Sequence, residues 1–271
     1  MYENGTPSDQ ARDRRESLLW MILAGLGTLI PLGFDFIGST HFAPGALIYM
    51  PVEFVVISGV LIALIPFAVK ANHQLDLPGG PLITATLNHE PKPFGWGEVV
   101  LGGVLWSVTA LVVSMIAIAA AVGLLLYFFP SFLPILKSHY PHSGPTVRPS
   151  AIWLVSDLVT GAVSAGVQEE ILFRFVLMGV FSWALSGVNG DSDRLPTRRQ
   201  LWLANIAQAY FFGLAHLRSD FHLARGTVGL GKVLIRPLIL PQTVSGIFFG
   251  WLYLRKGLET SIVSHTFFDL L

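Results

Sequence analysis

The segment Gln168-Glu169-Glu170-Ile171-Leu172-Phe173-Arg174 puts three charged side chains inside an apolar run over about 151–188. Charges tolerated in such a run face a bundle interior or a water-filled cavity, and they usually mark function. On one helix, residues four apart stack on one face about 6 Å from each other, whereas neighbours diverge by roughly 100°. Glu170 and Arg174 are therefore expected to form a charge-assisted pair, with Glu169 turned elsewhere and left free. An unpaired carboxylate in an apolar setting suits a general base. The same residues also fit a buried ion pair that fixes helix register, with Glu169 at a wet rim. The spacing alone keeps both readings.

Two further groups lie at comparable places. His216 follows Phe212 by one helical turn, and His265 precedes Asp269 by one turn. An Asp beside a His can fix its tautomer, or the two can hold a common ligand. Singly, His216 reads as an interfacial side chain and His265 with Asp269 as a packed polar pair. Together, Glu169, His216, His265 and Asp269 are ionisable groups from three separate apolar segments, and a bundle interior is where all four are tolerated. Asp35, Glu53, Glu98 and Asp157 stand near segment ends or alone and read as interface or packing residues; His73, His89, His139, His142 and His222 read as solvated loop residues.

The elements that must position these groups are membrane-like. The chain has 271 residues, of which 52% are hydrophobic and only 13% charged, with a mean hydropathy of +0.61. Soluble domains carry about 25% charged residues. Seven apolar segments are long enough to be candidate spans: 17–38, 46–69, 98–129, 151–187, 201–217, 238–254 and 258–271. The expected fold is an all-α polytopic membrane bundle of about seven to eight transmembrane helices around a polar cavity. Residues 1–16 form a polar tail, and 17–271 a single membrane domain with no internal repeat. Gly161, Ala162, Ala165 and Gly166 suggest close helix approach just before the charges. Bulky or rigid Pro31, Phe34 and Phe36 stand where a signal peptide would need small residues for cleavage, so the first run reads as a retained span.

Lysine and arginine bias places the N-terminus in the cytoplasm, since Arg12, Arg14 and Arg15 precede the first span and residues 39–45 carry no basic group. The stretch 189–200 and Arg255-Lys256 then share that side. Residues 218–236 fall outside despite Arg218, Arg225, Lys232 and Arg236, a conflict that a re-entrant segment near 224–240 would remove. Equal numbers of basic and acidic residues, 17 each, give no basic excess for nucleic acid, and the absence of cysteine excludes disulfides, thiolate catalysis and Cys-ligated zinc.

In its last part the sequence resembles the CPBP family, also called the ABI or type II CAAX prenyl protease family of intramembrane proteases. The resemblance rests on Glu169-Glu170-Ile171-Leu172-Phe173-Arg174 for E-E-x-x-x-R, Phe212 to His216 for F-x-x-x-H, and His265 to Asp269 for H-x-x-x-N/D. The run Gly246 to Tyr253 and Gly257 to Ile262 also looks like the family's approach to its final motif. The family-like half spans about 150–271. The resemblance implies peptide-bond hydrolysis within the membrane boundary, with Glu169 and His216 activating a water and His265 and Asp269 stabilising the oxyanion. Glu170, Arg174 and Phe212 would support the site. Phe175 stands where relatives commonly carry Gly, and Asp269 where Asn is more frequent. An ionised Asp accepts hydrogen bonds but cannot donate one to an oxyanion.

The expected substrate is a peptide or membrane protein met in the lipid bilayer, with no nucleic acid. No cofactor is the favoured expectation; zinc is the alternative, with Glu169, His216 and His265 as ligands, although no H-E-x-x-H is present. Rival readings are a non-catalytic immunity- or scaffold-type membrane protein and a proton-coupled transporter. The transporter is disfavoured because no inverted repeat is visible.

Overall fold

The computed structural model describes residues 7–38, 46–128, 161–163, 165–187, 195–224 and 231–271, and its architecture is all-helical. The helices are α1 (Pro7–Gly38), α2 (Ala46–Gln74), α3 (Pro81–Leu87) and α4 (Trp96–Phe128). They continue with α5 (Gly161–Gly187), α6 (Arg198–Ala224), α7 (Gly231–Lys256) and α8 (Leu258–Leu270). By length and composition α4 and α5 suffice to cross a membrane. Helix α4 presents Leu101, Leu105, Val112, Met115 and Ile116 to its surroundings. A continuous apolar surface of that kind is suited to lipid rather than water.

Local chemistry sets the helix ends. Thr197 and Gln200 form a capping box at the start of α6: the Thr197 amide donates to Gln200 Oε1 (2.8 Å) and the Gln200 amide to Thr197 Oγ1 (3.3 Å). Helix α3 begins with Pro81, whose missing N–H costs nothing in a first turn. Between α7 and α8 the chain turns at Gly257, with φ +85°, a conformation that disfavours any side chain. A methyl there would also strike the Pro81 ring.

That turn locks onto the segment before α3 and onto the first turn of α3 itself. The Leu258 amide donates to Gly79 O (2.8 Å), and the Ile83 amide donates to Glu259 Oε1 (2.8 Å). Trp20 of α1 packs at the same place, where a methyl on Gly80 would meet its ring. The core beside it joins Trp20, Ile65, Val69, Ile171, Phe175 and Tyr253 from α1, α2, α5 and α7. A second cluster forms where Trp106 and Ala110 of α4 meet Phe249 and Leu252 of α7.

Close approach elsewhere depends on small residues. Helices α6 and α7 pack on each other through Gly246, where a methyl would lie 3.0 Å from Ala209, and Gly250, where it would overlap Asn205. Asn205 and Gln208 use the space to donate to Ile247 O (3.1 Å) and Gly246 O (3.0 Å). A methyl on Gly166 of α5 would overlap Thr266 of α8, so the expected close approach before the charges occurs there. Buried side chain-to-backbone bonds and small-residue contacts of this type hold helices together where lipid supplies no hydrophobic drive.

Several sequence expectations change; His222, for one, belongs to helix α6 rather than to a loop. His73 is not a solvated loop residue: α2 runs on to Gln74 and α1 starts at Pro7, so His73 meets Asp13 through Nδ1 (2.7 Å) and Glu16 through Nε2 (2.9 Å). The Glu16 hydrogen bond raises the His73 pKa above its ordinary 6.5; burial opposes this, and the two negative charges reinforce it. The polar residues from Pro7 onward form the first turns of α1. Residues 218–224 belong to α6 and 231–240 to the continuous helix α7, where the sequence suggested a loop or a re-entrant segment, while 225–230 lie outside the described residues. Asp157, His139 and His142 also lie outside them, and exposed His89 does remain in the turn after α3.

Candidate active site

The charged segment is wound differently from an ordinary helix. From Glu170 to Leu177, α5 adopts a π-helical turn in which the Met178 amide reaches back five residues to Phe173 O. Such turns take one more residue per turn than an α-helix and recur at functional sites. Asn72 of α2, itself buried, donates from Nδ2 to Phe175 O in this turn (3.2 Å).

The wider turn alters which way the two glutamates face. Successive side chains diverge by less than 100°, and both carboxylates address His265 of α8. Glu170 Oε1 lies 2.7 Å from His265 Nδ1, and Glu169 Oε2 lies 3.7 Å from His265 Nε2. Glu169 therefore stays out of the arginine pair, as the spacing predicted, but shares a histidine with Glu170 instead of pointing to a separate side.

Glu170 is fully buried and satisfied by several partners. Ser261 Oγ donates to its Oε2 (2.5 Å) while also lying 3.2 Å from Phe249 O. Arg174 Nη1 is 3.2 Å from Glu170 Oε1. That contact has the distance of a hydrogen bond without its alignment, and the guanidinium nitrogens find no hydrogen-bond acceptor among the described residues. Aromatic faces hold the cation instead: its Cζ is 4.5 Å from the Phe212 centroid and 5.5 Å from that of Phe249.

The histidines are oriented with equal care. His265 stacks on Phe249 with centroids 4.5 Å apart and an 18° interplanar angle. A carboxylate only accepts, so His265 Nδ1 carries the proton toward Glu170, leaving Nε2 to face Glu169 and Asp269 Oδ2, each at 3.7 Å. His216 Nδ1 lies 2.9 Å from Phe212 O, a carbonyl that also only accepts. In neutral His216, Nε2 is then the ring acceptor, and it faces Glu169 Oε1 at 3.7 Å.

The four residues singled out by spacing thus converge. Glu169, His216 and Asp269 each keep roughly a quarter of their side-chain surface open, while His265 is buried behind them. Glu170, Arg174 and Phe212 are buried and surround the open group. Two contributors were missed by the motif reading, Ser261 and Phe249. Ser261 was detectable, since it lies one turn before His265 on the same face; Phe249 carried no chemical signal of its own.

A family model described as type II CAAX prenyl endopeptidase Rce1-like matches residues 151–271, the stretch that holds all of these side chains. No curated protein and no solved structure matches the chain. Over residues 151–271 the chain is similar to the type II CAAX prenyl endopeptidase Rce1-like family.

Proposed function

We propose that the protein is a multi-pass intramembrane endopeptidase in which Glu169 and His216 activate a water that attacks the scissile carbonyl. One observation carries this reading: two hydrogen-bond acceptors, Glu169 Oε1 and His216 Nε2, face each other at 3.7 Å. That separation is too long for a direct bond and suits a shared water, whose two protons would find one acceptor each. On attack, the water's oxygen forms the new bond to carbon and one of these acceptors takes its proton. His265 stands opposite. As an imidazolium it donates from Nε2 to the developing oxyanion while Glu170 holds Nδ1. Asp269 then serves as the negative partner of that imidazolium, a role in which an ionised Asp is adequate.

The water activation is read as metal-free, since the protein already supplies both acceptors. Among the described residues no group of three or more His, Cys, Asp or Glu is set to hold a metal ion. Zinc held by Glu169, His216 and His265 is the competing arrangement. Cleavage that persists after exhaustive chelation supports the first; loss on chelation with recovery on added zinc supports the second.

The substrate is a peptide or membrane protein reached from the bilayer. His265 lies seven residues from Leu258 at the start of α8, about 10 Å along the helix from the membrane face at that end of the bundle. That face is cytoplasmic, as it gathers Arg12, Arg14 and Arg15 of α1 with Arg198, Arg199, Arg255 and Lys256. Comparative membrane peptidomics of cells carrying wild type, Glu169→Ala or His216→Ala tests the reading. Product peptides should vanish in both variants while membrane insertion is unchanged; normal turnover in both would sink it.

A further inference from the structure

At the same face lies a cavity of about 560 Å³ that shares no residue with the catalytic group. It opens between the turn after α2, the first turns of α6 and the last turns of α7. Its charged residues are Arg198 and Arg255 against a single acid, Asp76. Its apolar wall includes Trp202, Trp251 and Leu254, and Trp251 is held in place by an edge-on contact with Trp106, centroids 5.2 Å apart. None of the three charged groups is drawn into an ion pair among the described residues.

The geometry points to a binding site for an anionic phospholipid of the cytoplasmic leaflet, with its phosphate between Arg198 and Arg255 and an acyl chain along Trp202 and Leu254. Three features favour this occupant. The cavity carries a net positive charge, and guanidinium groups match phosphate geometry. The apolar wall continues directly from the charged rim, which suits an amphiphile and leaves a free phosphate in contact with leucine. Tryptophan is the residue of the headgroup level, and basic pockets between membrane helices on the cytoplasmic side take anionic headgroups. The site rests on the membrane reading of the bundle and is independent of whether the catalytic group cleaves peptides.

The experiment compares binding of labelled phosphatidylglycerol and phosphatidylcholine to the purified full chain in zwitterionic detergent. Wild type should prefer phosphatidylglycerol by about fivefold or more, since each basic group near an anionic headgroup is worth roughly that factor. Arg198→Gln with Arg255→Gln should bring the ratio close to unity, with the thermal midpoint showing that the protein remains folded. Asp76→Asn should raise the preference by about fivefold. Asp76 has φ +52°, which Asn adopts readily, so this variant changes charge without disturbing the turn. Soluble glycerol phosphate should compete poorly; full competition by it would assign the site to a free phosphate and overturn the lipid proposal. A ratio unmoved by the double substitution, or lowered by Asp76→Asn, would overturn it as well.

Discussion

His265 is fixed on one side by Glu170 and is open on the other to Glu169 and Asp269, and this asymmetry depends on a residue with no titrating role. Ser261 donates the hydrogen bond that occupies the far oxygen of Glu170. Ser261→Ala leaves that buried oxygen without its donor, at a cost of about 1–3 kcal/mol. Turnover should fall while KM changes little, and Ser261→Thr should restore much of it; an Ala variant with wild-type kcat would exclude a positioning role. The partition between the glutamates was readable in part. Four-residue spacing identified the Glu170–Arg174 pair and the free Glu169. It could not reveal that both carboxylates meet His265, because that contact joins residues nearly a hundred positions apart and depends on a π turn that leaves no mark in hydrophobic periodicity. The aromatic enclosure of Arg174 was hidden for a related reason: Phe212 looked like half of a motif, and Phe249 like one apolar residue among many.

At the scale of elements, the site is assembled by helices that approach more closely than side chains normally allow. Gly250 admits Asn205 and Gln208 to the α6–α7 seam, and α6 brings His216 while α7 brings Phe249. Gly250→Leu should push the two helices apart, at about 1–3 kcal/mol or more of strain. The loss should appear as a lower thermal midpoint in detergent together with lost cleavage; an unchanged midpoint would show that the seam has room to spare. The existence of these helices was legible from apolar length. Their ends were less so, because charged first and last turns extend past the apolar core. That is why His73 and the residues following Pro7 looked like solvated chain, although they form one partly buried cluster.

For the whole molecule, that cluster sets a pH dependence. The folded-state pKa of His73 is raised above 6.5, so its contribution to stability is complete below that value and is lost as pH climbs through the raised pKa. The thermal midpoint should decline on going from mildly acidic to alkaline pH, and His73→Gln should flatten that decline; equal slopes for both proteins would dissociate His73 from it. Orientation is equally accessible to test, because the sequence contains no cysteine. A single cysteine placed at exposed Ser8 or Asp76 should react with an impermeant maleimide only when inside-out vesicles or broken cells are used. Labelling in intact cells would reverse the proposed sidedness.

The turn at Gly257 has a consequence for the timing of assembly. Glu169, Glu170, Arg174 and His216 are all synthesised well before Ser261, His265 and Asp269, and α8 reaches its place by pairing with Gly79 and Ile83, made far earlier. A nascent chain still attached to the ribosome through α7 therefore holds a glutamate–arginine pair and one histidine but no opposing imidazole. The constellation closes only when α8 docks against α4, α7 and the stretch from Gly79 to Ile83. On the proposed mechanism, cleavage must then await the docking of α8.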